Sequence, residues 1–215
     1  MREAFHEQLE DLFSDLAAIS REVENAVHYA TNALLSGDAA TAEQVISADS
    51  QIDMAAEKVE NDAITMLSLQ QPVAGDLRKL VAALRMVSEL ERMGDLSVHV
   101  AKIARLRVPE VAVPESERPI LAEMGRIAKE MVGAVTRVID TRDVEQCKEL
   151  ESMDDDMDRL RRQTFTEVLS GSWTHGVEPA VDIALLGRYY ERIADHAVTV
   201  ANRVVFIVTG EQPES

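Results

Sequence analysis

Apolar residues recur every three or four positions along most of the chain, the period of a helix with one buried face. Leu9, Leu12, Leu16, Ile19, Val23, Ala26, Val27, Ala30 and Leu34 form a first stripe that ends at Ser36, Gly37 and Asp38. A second stripe runs Val45, Ile46, Ile52, Ala56, Val59, Ala63, Ile64 and Leu67, and stops before Gln71 and Pro72. A third carries Leu77, Leu80, Leu84, Val87, Val98 and Ala101. It ends at Val108 and Pro109, because proline cannot continue a helix and restrains the residue before it. Residues 109–119 hold three prolines and three glutamates without periodicity and read as a linker. The helical period then returns over residues 120–140, 143–169 and 180–208, with the loop SGSWTHGVEP before the last of these. Long helices joined by short turns pack as antiparallel bundles. The pattern therefore predicts an all-α chain of two three-helix bundles, over residues 1–108 and 120–215, joined by the linker 109–119.

The two halves share more than a pattern. Leu-Glu-Arg-Met-Gly-Asp-Leu-Ser-Val-His-Val-Ala at 90–101 aligns with Tyr-Glu-Arg-Ile-Ala-Asp-His-Ala-Val-Thr-Val-Ala at 190–201, an offset of 100. Asp38, Asp49 and Asp53 match Asp143, Asp154 and Asp158 at an offset of 105, with Ile52 against Met157. A common order of marks in both halves is the signature of an internal duplication.

Composition narrows the classes of function. With 39 Asp and Glu against 22 Lys and Arg, the formal net charge is −17. That argues against nucleic-acid binding, which depends on clustered cations, and against docking to anionic lipid surfaces. Hydrophobic residues at 46% suffice for a core, and aromatics at 4% favour helices over sandwiches or barrels. One cysteine, Cys147, excludes an internal disulfide and a thiolate metal cage. The acidic N-terminus lacks the basic and apolar regions of a signal peptide. The longest aliphatic or aromatic run, from Val204 to Val208, is far below the roughly 20 residues of a spanning helix. A cytoplasmic protein without membrane insertion is expected.

The chemistry worth following lies in the duplicated acids. Glu91 and Asp95 interrupt the stripe Leu80, Leu84, Val87, Val98, Ala101, and Glu191 and Asp195 do the same between Ala184 and Val198. Asp49 and Asp53 lie among Val45, Ile52, Ala56 and Val59, and Asp154 and Asp158 among Leu150, Met157 and Phe165. Each pair is spaced i, i+4, which puts both carboxylates on one side of a helix. Like charges at that spacing destabilise a helix by about 0.2–0.5 kcal/mol, and burial of an unpaired carboxylate costs several kcal/mol more. Two helices presenting two carboxylates each would suit a hard cation such as Mg, Mn, Ca or oxidised Fe, one cluster per half.

The competing reading is a wet acidic surface with local ion pairs. Arg92 precedes Asp95 by three residues and Arg192 precedes Asp195 by three, Arg188 could serve Glu191, and Arg162 could serve Asp158. No Lys or Arg occurs from Val45 to Glu57, so Asp49 and Asp53 have no local base. Other features carry less. Glu3 and His6 form the one Glu-x-x-His, at the chain start and not on two core helices as a di-iron centre requires. His99 and His196 suit surface or interface positions. Trp173 would pin its loop to a bundle end, and the nine methionines read as core filler. No P-loop, dinucleotide fingerprint or nucleophile elbow is present, so no enzymatic activity is expected.

LERMGDLSVHVAKIA paired with YERIADHAVTVANRV, and preceded by QQPVAGDLRKLVAALRM, resembles the PhoU family of phosphate-signalling regulators over nearly the whole chain. The resemblance implies two tandem three-helix bundles whose acidic motifs bind metal clusters in some members. Carried over, the ligands would be Asp49, Asp53, Glu91 and Asp95 in one half and Asp154, Asp158, Glu191 and Asp195 in the other, holding a divalent or trivalent ion, with Fe, Mn, Mg and Zn as candidates. It also implies negative regulation of the phosphate-starvation response and of phosphate uptake. The chain would act by contact between the ATPase subunit of a phosphate ABC transporter and a phosphate-sensing histidine kinase, with homodimerisation open. The second copy departs from the pattern at Ala194, which stands where the first has Gly94, and at Tyr189 and Tyr190. A carboxylate-bridged metalloenzyme using the same ligands is the alternative.

Overall fold

A computed structural model describes residues 2–211. It contains six helices: α1 (Arg2–Ser36), α2 (Ala39–Gln70), α3 (Ala74–Arg107), α4 (Arg118–Thr141), α5 (Val144–Val168) and α6 (Val177–Thr209). In each half the three helices pack on one another. The halves then join along two seams, α1 against α4 and α3 against α6, so these four helices make a central layer. Among the described residues, α2 and α5 touch only helices of their own half. Each therefore forms an outward seam with its neighbour, α2 with α3 and α5 with α6.

Local chemistry sets the helix ends. Asp38 caps α2, its Oδ1 accepting from the backbone N–H of Ala40 at 2.9 Å and of Thr41 at 3.1 Å. Those bonds favour the carboxylate and hold Asp38 below the usual range, the Thr41 hydroxyl contributing most. Its duplicate Asp143 caps α5 by accepting from Glu145 N–H at 2.9 Å, so this repeated mark is a helix start. Before each cap the chain turns through a left-handed residue, Gly37 at φ +70 and its counterpart Arg142 at φ +55. Arg142 tolerates that conformation while its guanidinium binds Glu10 at 2.7 Å and lies over the Phe13 ring.

Two element boundaries differ from the sequence reading. α6 starts at Val177, three residues before the expected position, and α4 at Arg118. In both cases a proline, Pro179 or Pro119, sits in the first turn, where its missing N–H would have had no helical partner. Phe5 is buried, so α1 is anchored close to its start.

The α1–α4 seam is tight because α4 presents glycines. A Cβ on Gly125 would stand 2.3 Å from Thr31 Cγ2, and one on Gly133 would stand 3.3 Å from the Glu24 carboxyl. Thr31 Oγ1 lies 2.9 Å from the hydroxyl of Tyr190, which is fully buried, and Thr136 donates to Ser20 at 2.9 Å. The α3–α6 seam is polar at its core. His196 Nδ1 stands 2.5 Å from Glu89 Oε2, His99 stacks on Tyr189, and Arg107 grips Asp182.

Candidate functional site

The acids predicted from spacing are brought together, but at the outer edges of the α2–α3 and α5–α6 seams and not in the core. Asp53, Asp95 and Asp195 are exposed, Asp49, Glu91, Asp154 and Asp158 are half-buried, and only Glu191, at 7% exposure, is buried. The reason is that α3 and α6 each touch three or more elements. The buried arc of α3 runs through Leu80, Ala83, Val87, Leu90, Gly94, Val98 and Ala101 and is wide. Glu91 and Asp95 fall on its rim.

In the first half, α2 approaches α3 closely over Gly94, whose hypothetical Cβ would lie 3.4 Å from Ile52 Cδ1 and 3.7 Å from Asp49 Oδ1. Partial burial pushes the Asp49 carboxyl above the ordinary range, and the charges of Asp53 and Asp95 push it further, against the pull of Lys102 and His99. Glu91 is raised the same way, by burial first and then by Asp53, Asp95 and Glu60. Asp53 and Asp95 thus act electrostatically on both Asp49 and Glu91 across two helices. Asp49 also lines a cavity of about 240 Å³ between α1 and α2, with Tyr29, Ala48 and Ile52.

The second half repeats the acids but adds cations. Burial, followed by Asp195, Asp158, Asp155 and Glu191, raises Asp154 to about 6, and its Oδ1 is enclosed without a hydrogen-bond partner. Glu191, however, is held from both sides, by Arg161 Nη1 at 3.0 Å and by Arg188. At the matched positions the first half has Ala56 and Ser88. The expected Arg188 contact is present. The other base on Glu191 is Arg161, which spacing alone did not single out, because its partner lies on another helix. Among the described residues no ion pair joins Arg92 to Asp95, Arg192 to Asp195 or Arg162 to Asp158. Arg192 instead reaches the His196 ring at 3.4 Å.

For a metal, the donors have suitable chemistry: oxygen ligands from two helices, whose like-charge repulsion a cation would relieve. Their geometry is open. Among the described residues no three His, Cys, Asp or Glu side chains converge to hold one ion as they stand. Chelation in the first half would need side-chain rotation at Asp53 and Asp95, both free in solvent. In the second half it would also have to displace the arginines from Glu191 or use the three aspartates alone. The imidazoles are engaged elsewhere, His196 with Glu89 and His99 with Tyr189. Trp173 packs against the core at the end of the bundle, as expected, and its Nε1 donates to the Gly176 carbonyl of its own loop at 2.7 Å.

The arrangement of two like bundles has counterparts. The PhoU domain matches twice, over residues 16–104 and 121–204. The chain belongs to the PhoU family. It is 46% identical over 213 residues to the "Phosphate-specific transport system accessory protein PhoU homolog 2" of Mycobacterium tuberculosis, covering 99% of this chain and 100% of that one. It is 45% identical to PhoU homolog 1 of Mycobacterium leprae, covering 100% of this chain and 96% of the relative. The crystal structure of PhoU from Pseudomonas aeruginosa superposes with a TM-score of 0.88 at 28% identity, over 96% of this chain and 100% of that chain. The PhoU family thus accounts for the duplicated helical architecture, and among the described residues no helix is long and apolar enough to cross a membrane.

Proposed function

We infer that this chain is an accessory protein of a phosphate-specific transport system. In this reading it is a cytoplasmic negative regulator of the phosphate-starvation response and of phosphate uptake. It acts by contact, bridging the ATPase subunit of the phosphate ABC transporter and a sensor histidine kinase. The observation that carries the reading is likeness over the full chain, at 45–46% identity, to relatives named as accessory proteins of that system. The outward seams of α2–α3 and α5–α6, which the fold leaves uncovered, give an adaptor two independent faces. The test is co-purification of the full-length chain with each partner. An adaptor retains both the ATPase subunit and the kinase, and its deletion raises starvation-gene expression in high phosphate. Retention of neither overturns the reading.

The carboxylates of the first seam are proposed as a metal site, with Asp49, Asp53, Glu91 and Asp95 as ligands and a hard cation such as Mn, Mg or Fe as occupant. Support comes from the elevation of Asp49 and of Glu91, each by burial and then by the charges of Asp53 and Asp95, and from the absence of a base in α2 from Val45 to Glu57. A second ion at Asp154, Asp158 and Asp195 is proposed with Glu191 left to its arginines. Elemental analysis of untagged protein, with Asp49→Asn/Glu91→Gln as the comparison, decides it. Equal metal content in the two proteins removes the site. The metalloenzyme alternative gains nothing from the structure, because the acids lie on open seams and not in a chamber that would shield a reacting centre.

A further inference from the structure

The internal duplication provides a control for the surface of each half. On the α5–α6 seam, below the acids, five apolar side chains face solvent: Phe165 and Leu169 on and just beyond α5, and Val177, Val181 and Leu185 on α6. Leu169 is 79% and Val177 80% exposed. Their spacings of four keep each set on one helix face. The antiparallel register is fixed where Arg161 meets Glu191 and where Thr164 lies against Gly187. It sets Phe165 level with Leu185 and Leu169 level with Val181; Leu185 lies on the α3 flank of α6, between Asp182, which holds Arg107, and Tyr189, which stacks on His99, so the five line a broad strip and not a single row.

At the matched places in the first half the end of this strip nearest the acids is charged, Glu60 for Phe165 and Arg85 for Leu185, while Ile64, Val81 and Leu77 keep the remaining places apolar. The same scaffold therefore folds with charges at these two positions. Core packing does not require Phe165 and Leu185 to be apolar.

Above the strip lie Arg161 and Arg188, both engaged by Glu191, and above them Asp154, Asp158 and Asp195 with the exposed Asp155. From Leu169 to Asp158 is about 16 Å along the helix, some three turns. We propose that the α5–α6 seam is a docking groove for an amphipathic helix of a partner protein, apolar where it crosses Phe165, Leu169, Val181 and Leu185 and basic where it reaches Asp158 and Asp195. Charge complementarity selects this occupant. A second copy of the chain would bring another −17 charge and a like acidic cluster to the same face, whereas a basic amphipathic helix satisfies both ends of the groove. The proposal rests on the adaptor reading only in taking the occupant to be a protein; peptide binding tests it without either proposed partner, and partner retention is read only to tell its failure from that of the adaptor reading.

The probe is a synthetic helix of about 18 residues, five turns, with leucines on one face of its first half and lysines on the same face of its second. It is titrated onto the full-length chain in chelator-containing buffer. A second peptide with glutamates for lysines, and a third of scrambled order, are compared. The key variant is Phe165→Glu/Leu185→Arg, which grafts the first half's residues and leaves the net charge unchanged. The expected result is binding of the leucine-lysine helix by the unaltered chain, weakened by on the order of tenfold or more in the variant, as for loss of two apolar anchors. Binding of the glutamate and scrambled peptides is expected to be weaker still. Circular dichroism and melting show that the variant is folded, and Ile64→Glu on the first seam, which should leave binding unchanged, supplies a second comparison. Equal binding by unaltered and grafted chains overturns the proposal, since attraction would then be to bulk acidity. No binding by the unaltered chain overturns it too, as does a concentration-dependent dimer abolished by the graft, which would assign the face to a second copy. Loss of peptide binding in the graft with the transporter and kinase still retained would leave the adaptor reading intact and move its contacts elsewhere. Peptide binding with neither partner retained would sink the adaptor reading alone.

Discussion

Arg107, in the last turn of α3, holds Asp182, near the start of α6, in a two-pronged pair: Nε donates to Oδ2 at 2.7 Å and Nη2 to Oδ1 at 3.0 Å, while Nη1 reaches Glu178. Asp182 is only 4% exposed. This clamp ties the end of one half to the other. Removing the guanidinium leaves a buried carboxylate without compensation, so Arg107→Met is expected to lower unfolding free energy by about 3 kcal/mol. Arg107→Met/Asp182→Leu should recover most of that loss, because it removes both charges. Urea denaturation of the single and double variants checks this. A double variant as unstable as Arg107→Met would show that the clamp does more than neutralise Asp182.

Two glycines on close-packed helices should respond oppositely to alanine. At Gly125 the new methyl would stand 2.3 Å from Thr31 Cγ2, so Gly125→Ala is expected to destabilise by about 1–3 kcal/mol through overpacking. At Gly94 the nearest atoms are at ordinary contact distance, 3.4 Å and beyond, and the duplicate carries Ala194 there. Gly94→Ala is expected to be neutral or to stabilise by up to about 1 kcal/mol through helix propensity. Thermal melts of the two variants, measured side by side, separate a seam that requires glycine from one that merely has it.

The Asp154 carboxyl, raised to about 6 by burial and by its acidic neighbours, makes stability depend on pH in a defined sense. A carboxyl that binds its proton more tightly when folded stabilises the fold at low pH, and that contribution is lost as pH rises from about 4 through about 6. Asp154→Asn should therefore match the unaltered chain near pH 4 and exceed it at pH 7, by about 1 kcal/mol after allowance for solvent screening. Denaturant midpoints at the two pH values test the sign. A variant less stable than the unaltered chain at pH 7 would mean that the carboxylate has a compensating cation.

On the first seam, Asp49→Asn should raise stability at neutral pH in metal-free buffer, since it removes a half-buried charge from a repelling group. Adding Mn should reverse the order. The unaltered chain gains stability according to ligand occupancy, and Asp49→Asn gains less, by the share of the first seam. Melting temperatures with chelator and with excess Mn give the four values needed, and an equal Mn response in both proteins would exclude these acids as ligands.

Much of this was legible in the chain because helices are local. The 3.6-residue period located all six, and Pro72, Pro109 and the Gly37 turn marked where they break. The matched Asp38 and Asp143 proved to be caps, a role that their duplication alone did not assign. The eight acids pair as their spacing implies, because the i, i+4 relation is carried by the helix itself. What spacing misjudged is their depth. A helix that touches one neighbour buries one stripe, whereas α3 touches α1, α2 and α6, and the arc left for solvent cannot be read from its own sequence.

Contacts between distant residues lay outside that reading. Glu191 meets Arg161 only because α5 and α6 run antiparallel in one register, and Glu89 meets His196 across 107 positions of sequence. Gly125 matters because Thr31 happens to face it. The sequence by itself determined the helices, their duplication and the kind of chemistry each face can offer, since those follow from interactions within a few residues. The tertiary structure alone decided which acids are paired with arginine and which are left facing one another, because charge compensation in a bundle depends on which helices lie side by side and in what register.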